Sequence, residues 1–86
     1  VSTGTVGSLT VTLRAPTFRD AVRLIEAVGQ IAENLNHHPD IDLRWRTVTF
    51  TLSTHSEGGV THLDIELAHR ILEAGRRLDA EPLPAP

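Results

Sequence analysis

Between Leu43 and Leu52 the apolar residues change parity. Leu43 and Trp45 occupy odd positions, whereas Val48, Phe50 and Leu52 occupy even ones. Side chains alternate faces along a strand, so one continuous strand would send these two sets to opposite sides of a sheet. The pattern closes only if the chain reverses or bulges at Arg46-Thr47, which predicts a hairpin with strands near 41–45 and 48–54. A chain committed to that hairpin is committed to an antiparallel sheet. Arg-Thr is a poor primed-turn sequence, so the turn type stays open.

The rest of the chain supplies partners for the hairpin. Leu9, Val11 and Leu13 alternate with Thr10, Thr12 and Arg14, a half-buried strand. Gly7-Ser8 offers a turn from a weaker strand within residues 1–8. Pro16 ends the second strand, Thr17 offers an N-cap, and Asp20 stands where a capping partner belongs. From Phe18 to about Asn36 the apolar positions Phe18, Ala21, Val22, Ile25, Val28, Ile31, Ala32 and Leu35 recur at gaps of three and four, an amphipathic helix widened by Leu24 and Ala27. Pro39 closes it. After the hairpin, His55 to Gly59 reads as a loop. Thr61 with Asp64 caps a second helix buried through Ile65, Ala68, Ile71, Leu72 and Gly75. The fold class is therefore α+β, in the order β-β-α-β-β-α: a four-stranded antiparallel sheet with two helices on one face. Residues 1–80 are read as one domain and 81–86, rich in proline, as a flexible tail. A chain of 86 residues builds a thin core, and the uncovered sheet face points to an assembly.

Composition narrows the chemistry. The chain has no Cys, Met, Tyr or Lys; its eight basic residues are all Arg, and there are five His. Thiolate metal sites, a cysteine nucleophile, a Schiff-base lysine and a P-loop lysine are excluded. A formal net charge of −3 argues against direct nucleic-acid binding by phosphate neutralisation. No apolar run reaches the ~20 residues of a membrane span and no targeting segment is visible, so a cytoplasmic location is expected. Histidines and carboxylates must carry any chemistry.

Three histidines fall at element ends: His37 and His38 after the first helix, and His55 after the fourth strand. Glu33 lies one turn before His37 and is placed to orient its imidazole. Imidazoles around one pocket suit acid and base work near neutral pH. Against this stands a simpler reading, in which His-His-Pro only terminates a helix at its negative end. Zinc is a further alternative, because Glu33, His37, His38 and His55 include suitable ligand types; the absence of HExxH or HxH spacing disfavours it. His62 and His69, seven apart on the second helix, read as surface residues, and Trp45 as core or a pocket wall.

The run Glu33-Asn34-Leu35-Asn36-His37-His38-Pro39, then Trp45, Leu52-Ser53-Thr54-His55, Gly58-Gly59-Val60-Thr61, Asp64 and Leu67-Ala68 resembles the pterin-4a-carbinolamine dehydratase family. The resemblance extends from about Leu9 to Leu78. It implies a four-stranded antiparallel sheet with helices on one face, and a homodimer or homotetramer. The implied reaction is dehydration of 4a-hydroxytetrahydropterin to the quinonoid dihydropterin, in tetrahydrobiopterin recycling, with no cofactor and no metal. By the same resemblance His37 and His55 do the acid/base work, His38 holds or polarises the pterin, and Glu33 orients His37. Asn36, Pro39, Trp45, Ser53 and Thr54 would support or contact the ring, and Asp64 would support the His55 loop. The family also carries a helix ahead of the first strand, which these 86 residues are expected to lack. The alternative within the same fold is a non-catalytic oligomerisation or binding module, a transcriptional cofactor or an assembly factor.

Overall fold

In a computed structural model of the chain, which describes residues 2–3, 8–53 and 60–84, every described strand joins one antiparallel sheet. The elements are β1 (Ser2–Thr3), β2 (Leu9–Arg14), α1 (Phe18–Leu35), β3 (Asp40–Arg44), β4 (Thr47–Leu52), α2 (His62–Arg77) and β5 (Glu81–Leu83). The lateral order is β1-β2-β4-β3, with β5 also on β2. β1 and β5 share the same edge: β1 lies opposite Leu9 and Thr10, β5 opposite Thr12 to Arg14. The sheet is thus four strands wide, as the sequence pattern requires. The Gly7 turn lies outside the described residues.

The parity break resolves as a hairpin one residue earlier than expected. Leu43 pairs with Val48 and Arg44 with Thr47, so the two-residue turn is Trp45-Arg46. Trp45 takes a positive φ of 54°, the conformation a first turn position of this hand demands. Two bonds anchor the turn to the end of β2: the Ala15 amide donates to the Arg46 carbonyl at 2.8 Å, and the Arg46 guanidinium donates to the Ala15 carbonyl at 3.1 Å. Trp45 is therefore not part of the core. It stands 72% exposed at the hairpin tip, with the Arg46 guanidinium 4.9 Å from its ring centre.

Alternation divides the sheet. Leu9, Val11, Leu13, Val48, Phe50 and Leu52 are buried under the helices. Register places Thr10, Thr12, Thr47, Thr49 and Thr51 on the opposite face, with Asp40, Asp42 and Arg44 beside them. Thr12 and Thr49 hydrogen-bond across strands at 3.3 Å. This face is polar, so it can stand in water without an apolar cover. Threonine satisfies both strand propensity and water.

Both helices sit rotated from the stripe expected. α1 buries Ala21, Leu24, Val28 and Ala32, and Phe18 and Val22 stay exposed at its flank. α2 buries Asp64, Leu67, Ala68, Ile71, Ala74 and Gly75, while Ile65 is exposed. On α2 a glycine stands where the helix meets Leu13 of the sheet. At Gly75 a Cβ would lie 2.8 Å from a Leu13 methyl, and Leu13 is wholly buried. At Gly29 a Cβ would meet nothing within 4 Å. Gly29→Ala is expected to stabilise by about 0.5–1 kcal/mol, the helical cost of glycine. Gly75→Ala gains the same propensity but forces overpacking of about 1–3 kcal/mol, so its urea midpoint should fall. Opposite shifts in the two midpoints are the check.

In its described part the tail is not frayed as expected. Residues 81–83 pair with β2, and Glu81 meets Arg14 at 2.9 Å. Pro82 is tolerated because β5 is an edge strand whose missing N–H costs no ladder bond on its outer side. Among the described residues, no helix is long and apolar enough to cross a membrane.

Candidate active site

The ends of two helices meet at the first histidine. α1 stops at Leu35 because Asn36 adopts the left-handed conformation, φ 49° and ψ 44°. The Asn36 amide donates to the Glu33 carbonyl at 3.2 Å and the His37 amide to the Ala32 carbonyl at 3.0 Å. This pair of bonds is a Schellman cap, and Asn is the residue other than Gly that accepts its φ most readily. The cap fixes the backbone of His37 and turns its side chain off the helical track. The expected one-turn relation between Glu33 and His37 is thereby broken. Glu33 pairs instead with His38, Oε2 to Nε2, in an exposed contact.

His37 turns inward to α2. Its Nε2 lies 2.5 Å from Asp64 Oδ1, with 11% of the His37 side chain exposed and none of Asp64. Asp64 is the third residue of α2 and completes the capping box predicted with Thr61: the Thr61 amide donates to Asp64 Oδ2 at 2.9 Å. A carboxylate with no solvent contact must find its hydration elsewhere. Here the Thr61 amide, the His37 ring and the positive end of α2 supply it. One side chain thus joins the start of α2 to the residue that follows α1.

The two neighbouring imidazoles therefore differ. His37 sits in a buried ion-pair geometry, whereas His38 and Glu33 face water. The first ring faces a fully buried carboxylate, and the second can move with its exposed partner. Ser53 is half-buried at the end of β4, and Pro39 is half-buried between the pair and β3. Asn36 is exposed and its backbone serves the cap. Thr54 and His55, with the whole 54–59 segment, lie outside the described residues. Trp45 is not brought to the pair within this chain, since β3 places about 20 Å of extended backbone between it and Pro39. His62 and His69 are exposed, as expected of surface residues.

The His37–Asp64 contact is what the sequence reading missed, having assigned Asp64 to the His55 loop. Nothing in residue spacing links positions 27 apart. The available signal was the capping box itself, which locates one carboxylate at the start of α2. Grooves on the outer flank of α2 beside β5, and between the outer faces of α1 and α2, share no residue with this site.

The family profile described as Pterin 4 alpha carbinolamine dehydratase matches residues 2–74. A protein of Nocardia farcinica named "Putative pterin-4-alpha-carbinolamine dehydratase" is 57% identical over 65 residues, covering 76% of this chain and 68% of the relative. One of the same name from Mycobacterium avium is 49% identical over 65 residues, covering 76% and 69%. Among solved structures, a transcriptional coactivator/pterin dehydratase from Brucella melitensis superposes with a TM-score of 0.80 at 31% identity, covering 86% of this chain and 79% of that one. A pterin dehydratase-like protein identified as a RuBisCO assembly factor in the alpha-carboxysome shares the fold, with a TM-score of 0.71 at 16% identity over 84% and 83% of the two chains.

Proposed function

The chain belongs to the pterin 4 alpha carbinolamine dehydratase family, and from that membership we propose that it is a hydro-lyase converting a 4a-hydroxytetrahydropterin into the quinonoid dihydropterin and water. The C4a–O bond breaks as the hydroxyl takes up a proton and leaves as water. N5 gives up its proton, and the electron pair released there forms the C4a=N5 double bond. No electrons enter or leave overall, so the demands are one acid and one base. Positioned side-chain acid–base catalysis of this kind contributes about 10²–10⁴-fold.

The observation that carries the reading is the pair of adjacent imidazoles after α1, each held by its own carboxylate. His37 and His55 are the proposed acid and base. His38, with Glu33, holds and polarises the pterin. Asn36, Pro39, Ser53 and Thr54 frame the ring. In this reading the protein works in the cytoplasm in tetrahydrobiopterin recycling, as a homodimer or homotetramer.

The test supplies freshly generated 4a-hydroxytetrahydropterin to the purified protein and follows quinonoid dihydropterin by absorbance. Acceleration over the spontaneous rate by about 10²-fold or more, unchanged by a chelator, is expected. Formation at the spontaneous rate would overturn the enzyme and favour a non-catalytic binding module on the same fold.

A further inference from the structure

An imidazole offers two nitrogens, and the partner of one decides what the other can do. At His37 the partnered atom is Nε2, 2.5 Å from Asp64 Oδ1. The other oxygen of that carboxylate, Oδ2, accepts from the Thr61 amide. A carboxylate at the first turn of a helix is stabilised in its ionised form by the amides and dipole there, and an ionised carboxylate only accepts hydrogen bonds. The atom facing Oδ1 must therefore be a donor, which places a hydrogen on Nε2.

We propose that Asp64 is the positioning residue of His37, holding it as the Nε2–H tautomer so that Nδ1 is the nitrogen that exchanges protons with substrate. Neutral His37 then presents the Nδ1 lone pair as its sole base, and protonated His37 presents Nδ1–H as the acid. The Schellman cap at Asn36 fixes the backbone on one side of the ring, and the Thr61–Asp64 box fixes the carboxylate on the other. The imidazole is thus clamped between two helix ends and is not free to turn over. Glu33 performs the corresponding contact for His38, also at Nε2, but in water, where a ring can flip. The buried pair is the one that specifies an orientation.

The substrate half of this proposal rests on the dehydratase reading; the tautomer half does not. The experiment separates them. Long-range ¹H–¹⁵N correlation spectra of the ¹⁵N-labelled native protein, at a pH where the imidazoles are neutral, should show His37 protonated at Nε2 and bare at Nδ1. Asp64→Asn keeps an acceptor for Thr61 but turns an amide N–H toward the ring, so His37 should switch to the Nδ1–H form. Thr61→Ala weakens the same cap and should leave the tautomer untouched. In turnover, Asp64→Asn should lower kcat by about 10²-fold or more with KM nearly unchanged, the signature of a lost transition-state interaction.

A native His37 carrying its proton on Nδ1 would overturn the assignment, as would an Asp64→Asn protein that keeps the Nε2–H form. Should Asp64→Asn not fold, the native spectrum alone still decides the tautomer. A protein with the expected spectrum and no turnover would sink the dehydratase reading, and the role of Nδ1 with it.

Discussion

His37→Gln should lower dehydratase turnover by about 10²–10⁴-fold, the contribution of a positioned acid or base. Glutamine is chosen because its amide can still donate to Asp64, the partner that His37 meets at 2.5 Å. It cannot take or deliver a proton near neutral pH, so the catalytic loss is isolated from the structural one. His37→Ala removes the donor as well and leaves a buried carboxylate short of a partner, costing about 1–3 kcal/mol of stability. The glutamine variant should therefore keep its thermal midpoint better than the alanine variant while both lose turnover. His38→Gln should be milder in stability, because its partner Glu33 is exposed and water can replace the contact. Native turnover in His37→Gln would remove His37 from the reaction.

The largest expected loss of stability comes from Phe50→Ala. Phe50 is fully buried at the middle of β4, flanked across the sheet by Val11 and Ile41. Truncating a core phenylalanine costs about 3–5 kcal/mol, combining lost transfer energy with the cavity left behind. Small domains have only about 5–15 kcal/mol in total. The variant should show a urea midpoint far below the native one and be partly unfolded at physiological temperature. A change under about 1 kcal/mol would mean that β4 does not carry the core.

What the sequence made legible was whatever depends on local period. The parity break at 43–52 located the hairpin because strand alternation is rigid, and the turn was misplaced by one residue because Trp45 accepts a positive φ without being glycine. The helices were legible in extent but not in rotation. A 3.6-residue period identifies an apolar arc, but which part of it is covered depends on packing, which buries Ala21, Ala32, Ala68 and Gly75 and leaves Phe18, Val22 and Ile65 exposed. β5 was hidden because proline argues against a strand everywhere except at an edge, and edges are decided by topology.

The site divides along the same line. His37 and His38 stood out by their placement after a helix, and Asp64 by its distance from Thr61. Which carboxylate serves which imidazole was not legible. That depends on the left-handed turn at Asn36, a single backbone choice that swings His37 away from Glu33 and toward α2.

The shared edge of β2 has a topological consequence. Counting along the registers, β5 descends from Arg14 to Thr12, and β1 resumes in the same direction at Thr10. Val11 is the single rung of β2 left between the two pairings. The two fragments are collinear and together form one interrupted edge strand along β2. An edge made of two short pieces offers no long unbroken row of backbone groups to another chain, which protects this side of the sheet from edge-to-edge pairing.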